Sequence, residues 1–225
     1  MKKAFDTRDL GRMSYEEALS IQEFYFNGML EQKRKAEQVQ NSVFLLVEHN
    51  PVYTLGKSGD PENLVNDPKS VGAEFFRTSR GGDITYHGPG QIVGYPIFDL
   101  EQFGIGVGKY IWSIEEAIID VIKPYGLEGE RLSDASGVWL DVGKPSVRKI
   151  CAIGVKASRY VTMHGFAFNV NTDLGFFNHI IPCGIQDKGV TSMENELGRP
   201  MDMENIKASV VEAFTHHFRL EEAVK

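Results

Sequence analysis

Seventeen residues, Arg80–Pro96 (RGGDITYHGPGQIVGYP), constrain this 225-residue chain more than any other stretch. They hold five glycines and two prolines around an arginine, a histidine and two tyrosines. No amphipathic helix has that composition, and neither does a regular strand. Gly81, Gly82, Gly88 and Gly90 supply backbone that turns sharply or approaches a ligand closely. Pro89 and Pro96 fix φ and stiffen the segment. A stiff, glycine-rich loop carrying Arg, Tyr and His is expected to wall a binding site, because loops held on a scaffold carry much of a protein's function.

The rest of the chain reads as alternating helices and strands. Ser14 followed by Glu17 is a capping-box signature, and apolar residues at three- and four-residue spacing predict a helix to about Lys35. Val43–Glu48, Val52–Leu55, Phe75–Thr78 and Ile92–Asp99 read as strands. A helix over about Lys109–Lys123 stops at Pro124 and Gly126. The run before it, Gly104–Tyr110, lacks the phosphate-loop pattern: Phe103 stands where the first glycine belongs and Tyr110 where Ser or Thr would hold magnesium. Strands follow at Gly137–Asp141, Lys149–Lys156 and Val161–Asn169. Asn171–Asn178 is loop or short helix, and Met203–Phe218 is a closing helix. The expected fold class is α/β: a single domain over residues 1–225, with a mixed, largely antiparallel sheet flanked by helices.

A formal net charge of −7 argues against a general binder of nucleic acid or anionic membrane. With only Cys151 and Cys183, a disulfide framework is not expected, and the reducing cytoplasm is the simplest home. The N-terminus lacks the apolar core of a secretory signal. The six histidines are scattered without metal-ligand spacing, so no metal and no cofactor is expected.

Cys151 follows Ile150 in a strand pattern and reads as a small core hydrophobe. Cys183 lies between Pro182 and Gly184 in IIPCGI, where no regular strand continues comfortably. It is therefore a candidate nucleophile at a turn. An ordinary thiol is only about 3% thiolate at neutral pH, so a nucleophilic Cys183 needs a base or a positive neighbour. His87, His164, His179 and Lys149 are all candidates, and the residues alone do not choose among them.

RGGDITYHGPGQIVGYPIFDL, KICAIGVK, HGFAFNVNTDL and IIPCGI followed by VTSM together resemble the octanoyltransferases of lipoate biosynthesis, the lipoyl(octanoyl) transferases. EHNPVYTLGKSG belongs to the same resemblance, which covers roughly His49 to Met193. It implies a fold shared with biotin and lipoate protein ligases. It also implies transfer of an octanoyl group from octanoyl-acyl carrier protein to a lysine of lipoyl domains of 2-oxoacid dehydrogenases or of the glycine-cleavage H protein. Cys183 matches the family's acylated cysteine and Lys149 its partner lysine. The substrate-contacting segments match Arg80, Gly81, Gly82, Asp83, Ile84, Thr85, Tyr86 and His87; Ala152, Ile153 and Gly154; and Gly165, Phe166 and Ala167. Asp83 and Ile84 fall where the family motif is loose. Cys151 stands in place of an expected alanine, and the turn at Lys144–Val147 is longer than usual. Because both protein partners are acidic, Lys57, Arg77, Arg80, Arg148 and Lys149 are expected to form a positive docking patch. The competing readings are an ATP-dependent lipoate or biotin ligase, a non-catalytic lipoyl-domain binding module, and a cysteine thioesterase using His87 or His164.

Overall fold

A computed structural model describes residues 4–133, 135–181 and 188–219. In chain order the elements are β1 (Phe5–Met13), α1 (Tyr15–Arg34), β2 (Ser42–His49), β3 (Val52–Leu55), β4 (Glu74–Arg77), β5 (Ile84–His87), β6 (Gln91–Ile97) and α2 (Val107–Ile122). β7 (Glu130–Leu132), β8 (Ala135–Leu140), β9 (Arg148–Ser158), β10 (Val161–Asn169), β11 (Gly189–Val190), α3 (Met193–Leu197) and α4 (Met203–His217) complete them.

The main sheet runs β1-β2-β6-β10-β9-β8-β7, with β11 against β9. Only β1–β2 and β11–β9 are parallel in it. A small sheet, β4-β3-β5, stands beside it. The mixed, largely antiparallel sheet anticipated from the sequence is the one observed.

Alternation in β2 shows how the layers form. Phe44 and Leu46 join the cluster that packs the sheet against α2 and α4, with Ile114, Ile118 and Phe214. Val43, Leu45 and Val47 join the opposite cluster, with Ala18, Phe26 and Met29 of α1. A strand covered on both faces has no polar position to spare, hence the unbroken VFLLV. The Ser14 side chain accepts from the Glu17 N–H, and the Glu17 carboxylate accepts from the Ser14 N–H. The capping box thus fixes the start of α1 beside the small sheet.

The Arg80–Pro96 stretch departs from the expected loop only in its first half, since the strand expected from Ile92 is β6. It contains two strands, β5 and β6, that belong to different sheets and turn at Gly88-Pro89-Gly90. Pro96 lies in β6, between β2 and β10, where a missing N–H would normally break a ladder. The ladder from β10 stops short of Pro96: β10 pairs with β6 only over Phe166–Asn169, and His164 adopts φ 61°. A Cβ on Gly165 would lie 2.1 Å from the Gly94 carbonyl oxygen and 2.7 Å from Pro96 Cδ, so only glycine fits the crossing. Hydroxyls of Thr162 (2.8 Å) and Tyr110 (2.9 Å) donate to the Pro96 carbonyl. His164, at that left-handed backbone position, lines the candidate site.

Candidate active site

One rung across the main sheet makes the floor of a slot. Gly137 of β8 pairs with Ala152 of β9, Ala152 with Ala167 of β10, and Ala167 with Val93 of β6. On the neighbouring rung Gly154 pairs with Gly165. Ala152, Gly154, Gly165 and Ala167, four small residues on adjacent strands, leave a channel on a face that is otherwise filled by side chains. The cavity is lined by Ala152, Gly154, Gly165, Ala167 and Val93 below, and by Gly82–Thr85 and His87 from the glycine-rich stretch.

Strict alternation along β9 would send Lys149 to the wrong side. Ala152 and Gly154 face the slot, so Cys151, Ile153 and, by period two, Lys149 would face the α2/α4 core. A β-bulge reverses this. Val138 pairs with Cys151 but Trp139 with Lys149, so one step on β8 matches two on β9. Ile150 and Cys151 both enter the core, and both are fully buried. Lys149 therefore turns onto the slot face, where it lines the cavity with Nζ 4.5 Å from the Trp139 ring centroid. Arg148, one residue earlier, anchors the bulge. Its Nε and Nη2 donate to the two Glu196 oxygens at 2.6 Å each, and its Nη1 to Asp141 at 2.5 Å.

The slot's other side is polar but fully bonded. Gln91 Nε2 donates to Asn169 Oδ1 (2.9 Å) and to the Tyr86 carbonyl (3.1 Å). Gln91 Oε1 must then accept from His87 Nδ1–H, 2.9 Å away. That leaves His87 Nε2 to accept from the Thr54 hydroxyl at 3.2 Å. Thr54 in turn accepts from the buried Arg80 guanidinium through its hydroxyl (2.9 Å) and its carbonyl (2.5 Å). His49 Nε2 lies 2.7 Å from the Tyr95 hydroxyl. Burial pushes His49 down to about 4, and His87 and His164 down to about 3. At neutral pH all three rings are uncharged.

Most residues singled out from the sequence converge here. Arg80, Gly82, Asp83, Ile84, Thr85, His87, Lys149, Ala152, Ile153, Gly154, Gly165, Phe166 and Ala167 all line the cavity. Two do not. Gly81 donates its N–H to the Val155 carbonyl at 2.9 Å, docking the loop onto β9. Tyr86 points to the other side of β5, stacked on Phe176 at 4.6 Å. Asp83 accepts from Asn63 Nδ2 and from the Asp60 and Ile84 N–H groups, so it braces the loop before β4. Cys183 lies outside the described residues. Cys151 is the core thiol expected, and burial raises its pKa.

The anticipated five-cation patch is corrected by the structure. Arg80 is buried over Thr54, and Arg148 is neutralised by Glu196 and Asp141. Lys57 and Arg77 remain exposed. Sequence reasoning missed Tyr15, Val93, Tyr95, Trp139, Asn169 and Lys188 as cavity residues. Val93 and Tyr95 lie in the stretch expected to wall a site, though neither was singled out; Tyr15, Trp139, Asn169 and Lys188 carried no local signal.

The lipoyl protein ligase A/B catalytic domain model matches residues 14–215. An octanoyltransferase of Flavobacterium johnsoniae is 50% identical over 230 residues, covering 98% of this chain and 99% of that protein. One of Porphyromonas gingivalis is 52% identical over 221 residues, covering 96% of this chain, which spans 45% of that protein's length. Among solved structures, the bipartite lipoate protein ligase of an archaeal lipoylation system from Thermoplasma acidophilum superposes with a TM-score of 0.68 at 17% identity, covering 97% of this chain and 86% of that one. At that identity the likeness concerns the fold. The fold is that of the lipoate protein ligases, and the chain belongs to the lipoyl protein ligase A/B catalytic-domain family, among its octanoyltransferases. It is an acyltransferase that moves octanoyl groups in lipoate biosynthesis.

Proposed function

We propose that the slot takes the octanoyl chain of octanoyl-acyl carrier protein, that Cys183 becomes acylated, and that Lys149 carries the protons. The observation that supports this most is the bulge at Ile150–Cys151, which brings the Lys149 amine to the slot against the local alternation. Cys183 stands five residues before Lys188, which lines the same cavity and leads into β11 beside Lys149.

Lys149 accepts the Cys183 proton, and the thiolate attacks the thioester carbonyl. The bond from carbonyl carbon to the pantetheine sulfur breaks, and that sulfur leaves with the proton from Lys149. The incoming lysine amine of a lipoyl domain or H protein then attacks the Cys183 thioester and gives a proton to Lys149. The carbon–sulfur bond to Cys183 breaks, and the thiolate is reprotonated. The first step exchanges one thioester for another and the second converts that thioester to a more stable amide, so the cycle runs without ATP or cofactor. In this reading residues 1–225 act as one catalytic unit in the reducing cytoplasm. Among the described residues no helix is long and apolar enough to cross a membrane.

Incubation with octanoyl-acyl carrier protein and a lipoyl domain, without ATP, is expected to give the octanoylated domain, and free octanoate with ATP none. The reverse pattern would replace this reading with that of an ATP-dependent ligase. Release of free octanoic acid would favour a thioesterase. The neutral His87, with both ring nitrogens engaged and a pKa near 3, is a poor base for that reaction.

A further inference from the structure

We propose that the chain reads acyl length across its strands, with Val93 of β6 as the stop. The proposal rests on the slot being the octanoyl site. Lys149 marks one end of the slot, on β9 beside Trp139 of β8. The rung then runs Ala152, Ala167, Val93, from β9 through β10 to β6. Two interstrand steps of about 4.8 Å separate β9 from β6, roughly 10 Å. An extended octanoyl chain, seven carbon–carbon bonds of about 1.5 Å in zigzag, spans about 9 Å. Over the first two strands the floor is alanine and glycine. At β6 it rises abruptly to valine. Val93 is backed by Tyr95 on the same face and by Val47 of β2, its pairing partner. Tyr15 of α1 closes the same end, its ring 5.4 Å from that of His49 and stacked 6.3 Å from that of His87.

Escape along the strands is blocked on both sides. One rung away, Asn169 and Gln91 are buried and hydrogen-bonded to each other, with His87 on Gln91. On the other side, beyond Gly165, stand Arg80 and His164, both buried. A chain pressed against these groups would strip bonded polar atoms of their partners, a cost that methylene burial does not offset. The apolar path is the crosswise one, and it ends at Val93.

The test measures kcat/KM for acyl-acyl carrier proteins of six, eight, ten and twelve carbons with a lipoyl domain as acceptor. Wild type is expected to peak at eight. Val93→Ala is expected to raise the ten-to-eight ratio by about tenfold, the discrimination of one or two methylenes in an apolar pocket. Ala167→Val, which fills the middle of the rung, is expected to lower the eight-to-six ratio by a similar factor. Thermal melts establish that each variant is folded; should Ala167→Val not fold, Val93→Ala alone decides. A maximum that stays at eight in Val93→Ala, with all lengths scaled together, overturns the ruler and leaves the octanoyl site standing. A wild-type protein that transfers no acyl chain of any length overturns both.

Discussion

Replacing Lys149 by methionine is expected to lower octanoyl transfer by about a thousandfold, within the span of general acid–base contributions. Methionine keeps an unbranched apolar stem over Trp139 and removes only the amine. Ile150 and Cys151, which hold the bulge, are untouched, so the folded state and its melting temperature should change little. Lys149→Arg separates two roles. A guanidinium keeps the positive charge but does not give up its proton in a protein. If Lys149 moves protons, the arginine variant is nearly as slow as the methionine one. An arginine variant within tenfold of wild type would instead mean that position 149 supplies charge alone.

The second large effect is acid lability. His49, His87 and His164 have folded-state values pushed down by burial to about 4, 3 and 3, against about 6.5 for an unfolded histidine. Depressed histidine values make the folded state the poorer proton binder. Their contribution is fully present above pH 6.5 and is lost as pH falls towards 4, because the unfolded chain takes up as many as three protons that the folded one refuses. Stability rises with pH wherever the unfolded state binds more protons. Moving from pH 7.5 to pH 5 is expected to remove on the order of 5 kcal/mol. Arg80, buried beside His87 and His164, pushes both further in the same direction. Urea unfolding followed across pH 7.5 to 5 measures this; a flat profile would mean that the three rings are not held neutral. The same neutrality suits the slot, since a charged imidazole beside an octanoyl chain would be costly.

Much of the fold was legible. The capping box fixed the start of α1, and VFLLV marked a strand covered on both faces. Cys151 read correctly as a core thiol, although the bulge sends Ile150 into the same core beside it instead of alternating with it. What escaped did so for physical reasons. β1 (FDTRDLGRM) is an edge strand whose outward positions are mostly charged, so it shows no apolar period. β5 hid within a stretch whose glycines and prolines argue against strands, whereas β6 was anticipated from Ile92 onward; Pro96 sits in β6 beyond the end of its ladder to β10. The face that Lys149 occupies was illegible in principle. Period-two reasoning assigns it to the core, and the bulge that overrules this depends on pairing with β8. The positive patch failed because a count of cations does not show which are paired. Arg148 is engaged by Glu196, 48 positions away, and Arg80 by Thr54 beneath it.

Catalysis as proposed here turns on a thioester that forms on Cys183 with Lys149 as its proton partner. Intact-mass analysis after mixing with octanoyl-acyl carrier protein, followed by peptide mapping, tests it most directly. The expected result is one added octanoyl group of about 126 Da on the peptide containing Cys183, absent in Cys183→Ala and slow to form in Lys149→Met. An adduct of that mass on Cys183→Ala, or wild-type turnover with no adduct at any time, would contradict it.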